Sequence, residues 1–326
     1  MTEKWTMKIK TLWVVMLIGV LFVLSACAPP SQAGPEPTMP KSYMVPAGEK
    51  GWKPPETNEA RKPSDTGTIK IRFPKEGAKD YTFNATEIKA IRTDIFKPGH
   101  FSMFDILLHL DERGEIALGY HFDEGMDTHI IDTINDIDRW WYDAHYSSGW
   151  FKDNAFRMDM YPYKNESEIV VYRVKQGYLD RIYESFREEV ERLADNGGSV
   201  VVPSVIIESP NFSETFEDVD VMAHNIRSDV LQPGVITTMD ILLSLAEQGK
   251  LTPLKLTWYS QIAGADPVDS YFVEQMDEAI AFANCGFVYE AGSQMFGGFM
   301  GNHIHIPSDV RTIISPYYGY WFWICI

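Results

Sequence analysis

The sequence predicts an α+β protein made of two related domains in tandem, each with a small mixed sheet and one short capped helix. Residues 91–99 read IRTDIFKPG and residues 226–234 read IRSDVLQPG, so the two segments match at an offset of 135 residues. The match continues into apolar stretches that begin at Ser102 and at Thr237. A period this long is the size of a small domain and exceeds that of a solenoid repeat.

Residues 1–26 have the features of a signal peptide. Lys4, Lys8 and Lys10 precede an apolar run over 12–24, which ends in Leu-Ser-Ala-Cys at Cys27. This ending resembles the lipobox of bacterial lipoproteins, which implies cleavage after residue 26 and lipidation of Cys27. An uncleaved anchor is the alternative, but the run is short against the ~20 residues that span a bilayer. We therefore predict a lipoprotein held through Cys27 on the extracytoplasmic face of the cell membrane.

Residues 27–66 are predicted to form a disordered, proline-rich tether. Nine of the 19 prolines lie between residues 28 and 66. A segment of this composition cannot bury enough apolar surface to offset the entropy lost on ordering. Tyr43, Met44, Val45 and Trp52 support the alternative that part of the segment lies against the first domain.

The composition restricts the classes of partner. The formal net charge is -17, whereas binding to nucleic acid or to anionic lipid headgroups requires a basic face. We therefore expect no nucleic-acid partner, and no motif predicts a cofactor. Cys285 and Cys325 can form a disulfide in an oxidising compartment, although the first domain has no counterpart to them.

Each copy contains a short helix with a capping box. Ser102 with Asp105, and Thr237 with Asp240, place a hydroxyl at the N-cap and a carboxylate three residues later. A pair of catalytic acids is the alternative for the two aspartates. We favour capping, because it explains both the residue type and its position.

Strand patterns surround these helices. Residues 68–73 alternate apolar and polar side chains, and 169–174, 199–202 and 205–207 are rich in β-branched residues.

Between the copies, an amphipathic helix is predicted over 176–195, because five apolar residues recur there at near-helical spacing: Tyr178, Ile182, Phe186, Val190 and Leu193. The predicted boundaries are 67–174 for the first domain, 175–197 for the linking helix and 198–326 for the second domain.

Several short motifs resemble a known family, the transcobalamin C-terminal-like domain of bacterial surface proteins. In this sequence they are the capped helices from Ser102 and Thr237, the segments 130–135, 161–172 and 303–307, and the aromatic turns 140–142 and 286–289. The resemblance covers most of residues 67–326. It implies two β-grasp-like domains that recognise a ligand or partner. No α/α-barrel accompanies the two domains, so the resemblance does not imply cobalamin as the ligand.

One polar segment offers metal ligands and with them an alternative function, an envelope metal-dependent hydrolase. His121, Asp123, Asp127 and His129 combine imidazole and carboxylate groups that can hold Zn²⁺ or Ca²⁺. Their spacing matches neither a zinc-protease helix nor an EF-hand loop, which favours solvated side chains of a hairpin. The sequence contains no nucleophile motif or phosphate-binding loop, so an enzyme is not the leading hypothesis.

Aromatic residues form the predicted binding surface. They are Trp140, Tyr146 and Trp150 in the first copy, and Tyr289 and Phe296 in the second. A domain of ~110 residues needs only a few large rings for its core, so the surplus can stack on a ligand. Packing is the alternative, and an exposed Trp140 or Trp150 would distinguish the two. The leading hypothesis is a membrane-tethered binding or adhesion lipoprotein that recognises a small molecule, a glycan or a surface protein.

Overall fold

A computed structural model describes residues 40–145, 155–261, 268–293 and 306–325. These described residues belong to one compact unit. The described ranges contain three α-helices and several small sheets, some of them mixed, which confirms the predicted α+β class. Within these ranges, no helix combines the length and the apolar character needed to cross a bilayer.

The chain enters the described part through strand β1 (Lys41–Val45) and continues into the first copy. The elements of this copy are β2 (Thr66–Phe73), β3 (Gly77–Asn84), α1 (Met103–Glu112), β4 (Leu118–Asp123), β5 (Thr128–Ile134), β6 (Trp140–His145) and β7 (Glu168–Arg173). The main sheet has the order β3-β2-β7-β6, in which the central pair β2 and β7 is parallel and the outer pairs are antiparallel. Strands β4 and β5 form a separate antiparallel hairpin.

The local sequence explains these elements. Strand β2 alternates, so Ile69, Ile71 and Phe73 lie on its buried face and share an apolar core with α1. Helix α1 begins after the predicted N-cap: the Ser102 N–H donates to Asp105 Oδ2 at 2.7 Å. Residues 103–107 of α1 are all buried and Leu110 is buried further on, so the start of the helix is enclosed on every side.

Helix α2 (Gln176–Asp195) has the predicted bounds. Its buried positions include Leu179, Ile182 and Phe186, all of which belong to the core of the first copy. Glu189 is also buried on this helix and accepts a hydrogen bond from the Arg157 guanidinium at 2.5 Å. The amphipathic stripe therefore packs mainly on the first copy.

The second copy repeats the sheet order of the first. Its elements are β8 (Val200–Glu208), β9 (Ser213–Val221), α3 (Thr238–Glu247), β10 (Leu254–Tyr259), β11 (Ser270–Met276), β12 (Ala279–Ile280), β13 (Cys285–Gly292) and β14 (Tyr318–Cys325). The order is β9-β8-β14-β13, again with a parallel central pair, β8 and β14. A disulfide joins Cys285 to Cys325 across β13 and β14.

The predicted tether is wrong for its described part, residues 40–66. Strand β1 pairs antiparallel with β10 and gives the second copy a four-stranded sheet of order β1-β10-β11-β12. Tyr43, Val45 and Trp52 are buried in the core of the second copy, not of the first. The aromatic and apolar residues among the prolines supply enough burial to order this segment.

The two copies contact each other through equivalent residues. Phe96 lies opposite Leu231 in an antiparallel bridge, and these positions are related by the repeat offset. The Lys97 N–H donates to Val230 O, and the Gln232 N–H donates to Ile95 O, both at 2.8 Å. The reciprocal pair indicates a local pseudo-twofold axis between the copies.

Candidate functional site

The predicted aromatic surface is wrong for the residues that the structure describes. Trp140 is fully buried, its ring packs edge-on against Phe73 at 5.6 Å, and its Nε1–H donates to Ile137 O. Tyr289 is also buried, and its hydroxyl donates to Ile306 O. Both rings serve packing, because β6 and β13 turn them towards their cores. The other three predicted residues, Tyr146, Trp150 and Phe296, lie outside the described residues.

The four residues of the alternative metal site do not come together in the structure. His121 and His129 lie on opposite faces of the β4–β5 hairpin, since His121 is opposite Ile130 and His129 is opposite Phe122. The His121 imidazole contacts Asp132 at 2.9 Å, and that of His129 contacts Asp159 at 2.8 Å.

The two aspartates of that set have separate partners. Asp127 pairs with Arg92 at 3.1 Å, and Asp123 accepts the Met126 N–H at 3.0 Å. No group of three or more metal-ligating side chains converges anywhere in the described ranges.

The repeated Arg-x-Asp motif instead forms a buried ion cluster in each copy. The Arg92 guanidinium contacts Asp94 at 2.8 Å and Asp159 at 3.3 Å. In the second copy, Arg227 contacts Asp229 at 3.0 Å and Asp309 at 2.7 Å. Each cluster connects the turn before the helix to the segment before the last strand of its copy. The role of these charged residues is therefore structural.

An open groove of about 370 Å³ lies beside α1 in the first copy. Its lining comes from the exposed side of α1, from the turn after β3 and from β4: Glu87, Lys89, Ala90, Ile91, Asp105, Leu108, His109, Asp111, Glu112 and Tyr120. Next to it on β4, Phe122 is 43% exposed, and Tyr120 itself is 40% exposed. Two large exposed rings on one strand mark this as a surface that can bury more apolar area.

The groove is acidic. Four carboxyl groups line it against one lysine, Lys89. Burial raises the pKa of Asp105 to about 6, and hydrogen bonds from Ser102 and Ile91 offset only part of that effect. The remaining carboxylates favour a cationic occupant.

One polar atom in the lining has no partner. His109 Nε2 is buried and has no hydrogen-bond partner in the part of the chain that the structure describes; Glu87 Oε2 lies 3.9 Å from it. Buried polar atoms are usually satisfied, and at this nitrogen the Glu87 carboxylate takes the place of a hydrogen-bond partner.

The equivalent place in the second copy is filled by the chain itself. There β1 pairs with β10, which corresponds to β4, and the following turn reaches the end of α3. The Gly48 N–H donates to Ala246 O at 2.9 Å, and the Gly51 N–H donates to Glu247 Oε2 at 3.0 Å. Within the described ranges, no strand occupies the corresponding edge of β4.

Glu112 and Glu247 are equivalent under the 135-residue offset, but the offset does not indicate that only one of them is covered. Tyr120, Phe122 and His109 were not predicted as site residues. No repeat signal could have found the two rings, because the 135-residue offset pairs Tyr120 with Lys255 and Phe122 with Thr257, both polar. Comparison of the chain with protein families, curated proteins and solved structures gives no match.

Proposed function

We propose that this protein is a binding lipoprotein, held by a lipid on Cys27 at the extracytoplasmic face of the cell membrane, that recognises a surface partner through the groove of its first copy. One observation carries the proposal: the groove is open, whereas the equivalent place in the second copy holds a polypeptide segment. The export signal predicted over 1–26 and the Cys285–Cys325 disulfide support a location outside the cytoplasm.

We further propose that each copy is a β-grasp-like unit of the transcobalamin C-terminal-like kind. The support is the connection of hairpin, helix and second hairpin, with the first and last strands parallel at the centre of the sheet. Such units serve recognition in the family that the sequence resembles, which agrees with a binding function.

The anchor is tested by the variant Cys27→Ala. Without the acceptor thiol no lipid can be attached, so we expect the variant to lose incorporation of a labelled fatty acid and to leave the membrane fraction. Membranes are collected after a high-salt wash, and both forms are quantified by immunoblot. A variant that stays with washed membranes would show that another part of the chain supplies the attachment.

Recognition through the groove is tested on peptide and glycan arrays with the full-length protein in detergent. The groove variant is Tyr120→Ala with Glu112→Gln. The matched control is Phe282→Ala with Glu278→Gln, which also removes one exposed aromatic ring and one exposed carboxylate, but in the second copy.

We expect the parent and the control to bind the same array members and the groove variant to lose them, because exposed rings at the centre of an interface carry much of the binding energy. Equal binding by all three proteins, or no binding by the parent, would contradict the proposed function.

A further inference from the structure

We propose that the groove of the first copy binds an extended, positively charged polypeptide segment of a partner protein, which adds to the sheet as a strand antiparallel to β4. This inference rests on the proposed function, and it names the chemistry of the partner and the mode of binding. Addition of a strand to an exposed sheet edge is a recurrent mode of peptide recognition.

The second copy supplies the template for this mode. Strands β4 and β10 correspond at an offset of 136, one more than in the rest of the repeat, because their register shifts lie between Gly119 and Tyr120 and between Lys255 and Leu256. Strand β1 covers the free edge of β10, with Tyr43 opposite Leu256. A segment placed in the same way on the first copy would lie opposite Tyr120.

Burial differs between the two copies as this template requires. Leu256 is fully buried and Trp258 is 7% exposed, whereas their counterparts Tyr120 and Phe122 are 40% and 43% exposed. Leu243 on α3 is likewise buried, while its counterpart Leu108 on α1 is only partly buried. The first copy therefore keeps apolar side chains at the positions that a strand covers in the second.

The helix end supplies the second anchor. Ala246 O and Glu247 Oε2 accept backbone N–H groups of the segment that follows β1. The counterparts of these residues are Asp111 and Glu112, and both line the open groove. A bound segment can donate its own N–H groups to the same two positions.

The charges that differ between the copies indicate a cationic occupant. Glu87 and Asp111 stand where the second copy has the neutral Met222 and Ala246, and the one added cation is Lys89 in place of His224. His109 replaces Ser244, whose hydroxyl oxygen accepts the Met222 N–H at 3.0 Å. His109 Nε2, which makes no hydrogen bond and lies 3.9 Å from Glu87 Oε2, thus lies where the second copy has a hydrogen-bonded polar group. Lysine or arginine side chains that a bound segment directs into the groove complement the added carboxylates.

A peptide partner fits better than this chain's own segment. Strand β1 is already paired with β10 in the second copy, so the same molecule cannot place it on β4. The protein is strongly acidic overall, with a net charge of -17, so a second copy would approach the acidic groove against electrostatic repulsion.

The test uses the full-length protein in detergent and a synthetic peptide of about eight residues that alternates lysine with valine or tyrosine. A second peptide carries glutamate in place of lysine, and a third carries N-methyl groups on alternate backbone nitrogens. Binding is measured by fluorescence anisotropy at low and high salt. Hydrogen exchange of residues 118–123 reports whether the β4 edge becomes protected.

We expect the lysine peptide to bind and to slow exchange in β4, and the glutamate and N-methyl peptides to bind at least about tenfold more weakly. Tyr120→Ala should lower the affinity for the lysine peptide at least about tenfold. Glu112→Gln should lower it about two- to fivefold, and the effect of this charge change should be smaller at high salt. Phe282→Ala and Glu278→Gln should leave its affinity unchanged.

Several results would overturn the inference. Equal affinity of the N-methyl peptide would exclude strand addition, and equal affinity of the glutamate peptide would exclude a cationic occupant. Protection of β4 in the peptide-free protein, whether constant or rising with protein concentration, would show that the chain's own segment or a second copy occupies the edge. If the parent bound a glycan and the Tyr120→Ala variant did not, this inference would be refuted, whereas the proposed function would stand.

Discussion

At the scale of single residues, the buried arginines matter most for stability. The Arg227 side chain is 1% exposed, and its guanidinium is matched by the carboxylates of Asp229 and Asp309. It also lies over the Trp258 ring, with the guanidinium carbon 5.2 Å from the ring centroid. Removal of the cation would leave two carboxylates without their partner in a dry environment, which costs more than the loss of an exposed ion pair.

We expect Arg227→Met to lower the free energy of unfolding by about 3–5 kcal/mol. The control Arg187→Met breaks the exposed pair with Glu184 and should cost no more than ~1 kcal/mol. Urea unfolding of both variants and the parent gives the two values. Similar losses in both variants would show that the buried cluster is not a special source of stability.

At the scale of elements, β1 behaves as part of the second copy although it precedes the first copy in sequence. The Tyr43 ring packs edge-on against Tyr271 at 6.2 Å, and its hydroxyl accepts a hydrogen bond from Asn58 at 3.0 Å. Met44 lies on the opposite face of the strand and is 52% exposed. One face of β1 therefore packs in the core of the second copy, and the backbone of β1 pairs with β10.

We expect Tyr43→Ala to destabilise the protein by about 3 kcal/mol, because it leaves a cavity and removes one of the two hydrogen bonds that Asn58 Nδ2 donates, the other going to Tyr271. The neighbouring change Met44→Ala should alter stability by less than ~0.5 kcal/mol. Thermal unfolding measures both effects, and hydrogen exchange of β10 should accelerate only in the Tyr43 variant. If the two variants were equally stable, residues 41–45 would not be a strand of the folded domain.

At the scale of the whole molecule, the contact between the copies contains a titratable group. His100 is buried near Arg227 and Asp229 of the second copy and near Lys62 and Lys164. Burial lowers the pKa of His100 to about 4; Asp229 opposes this shift, and the three cations add to it. In the unfolded chain the pKa of a histidine is about 6.5. Between pH 6.5 and pH 4 the imidazole of His100 is therefore mostly neutral in the folded protein and mostly protonated in the unfolded chain.

Because the pKa of His100 is lower in the folded state, its stabilising contribution is present above about pH 6.5 and is lost as the pH falls towards about 4. The second copy has Val235 at the equivalent position, so His100→Val is a natural comparison. We expect the parent to lose on the order of 3 kcal/mol more stability than His100→Val between these pH values. Urea unfolding at both pH values tests this expectation, which parallel losses in the two proteins would contradict.

The sequence by itself determined the features that depend on local patterns. The repeat offset predicted two copies, and the hydroxyl and carboxylate at 102 and 105, and at 237 and 240, predicted the starts of α1 and α3. The apolar spacing over 176–195 predicted α2 with its observed bounds. These signals are readable because capping and periodicity involve residues only a few positions apart.

Only the tertiary structure decided which distant residues meet. Local patterns do not specify that Tyr43 pairs across to Leu256, that Arg227 reaches Asp309, or that Trp140 faces a core. Local patterns also do not show which of the two equivalent grooves is open and which is covered. That difference depends on where β1 docks, and docking is decided by the burial of apolar surface between segments about 200 residues apart.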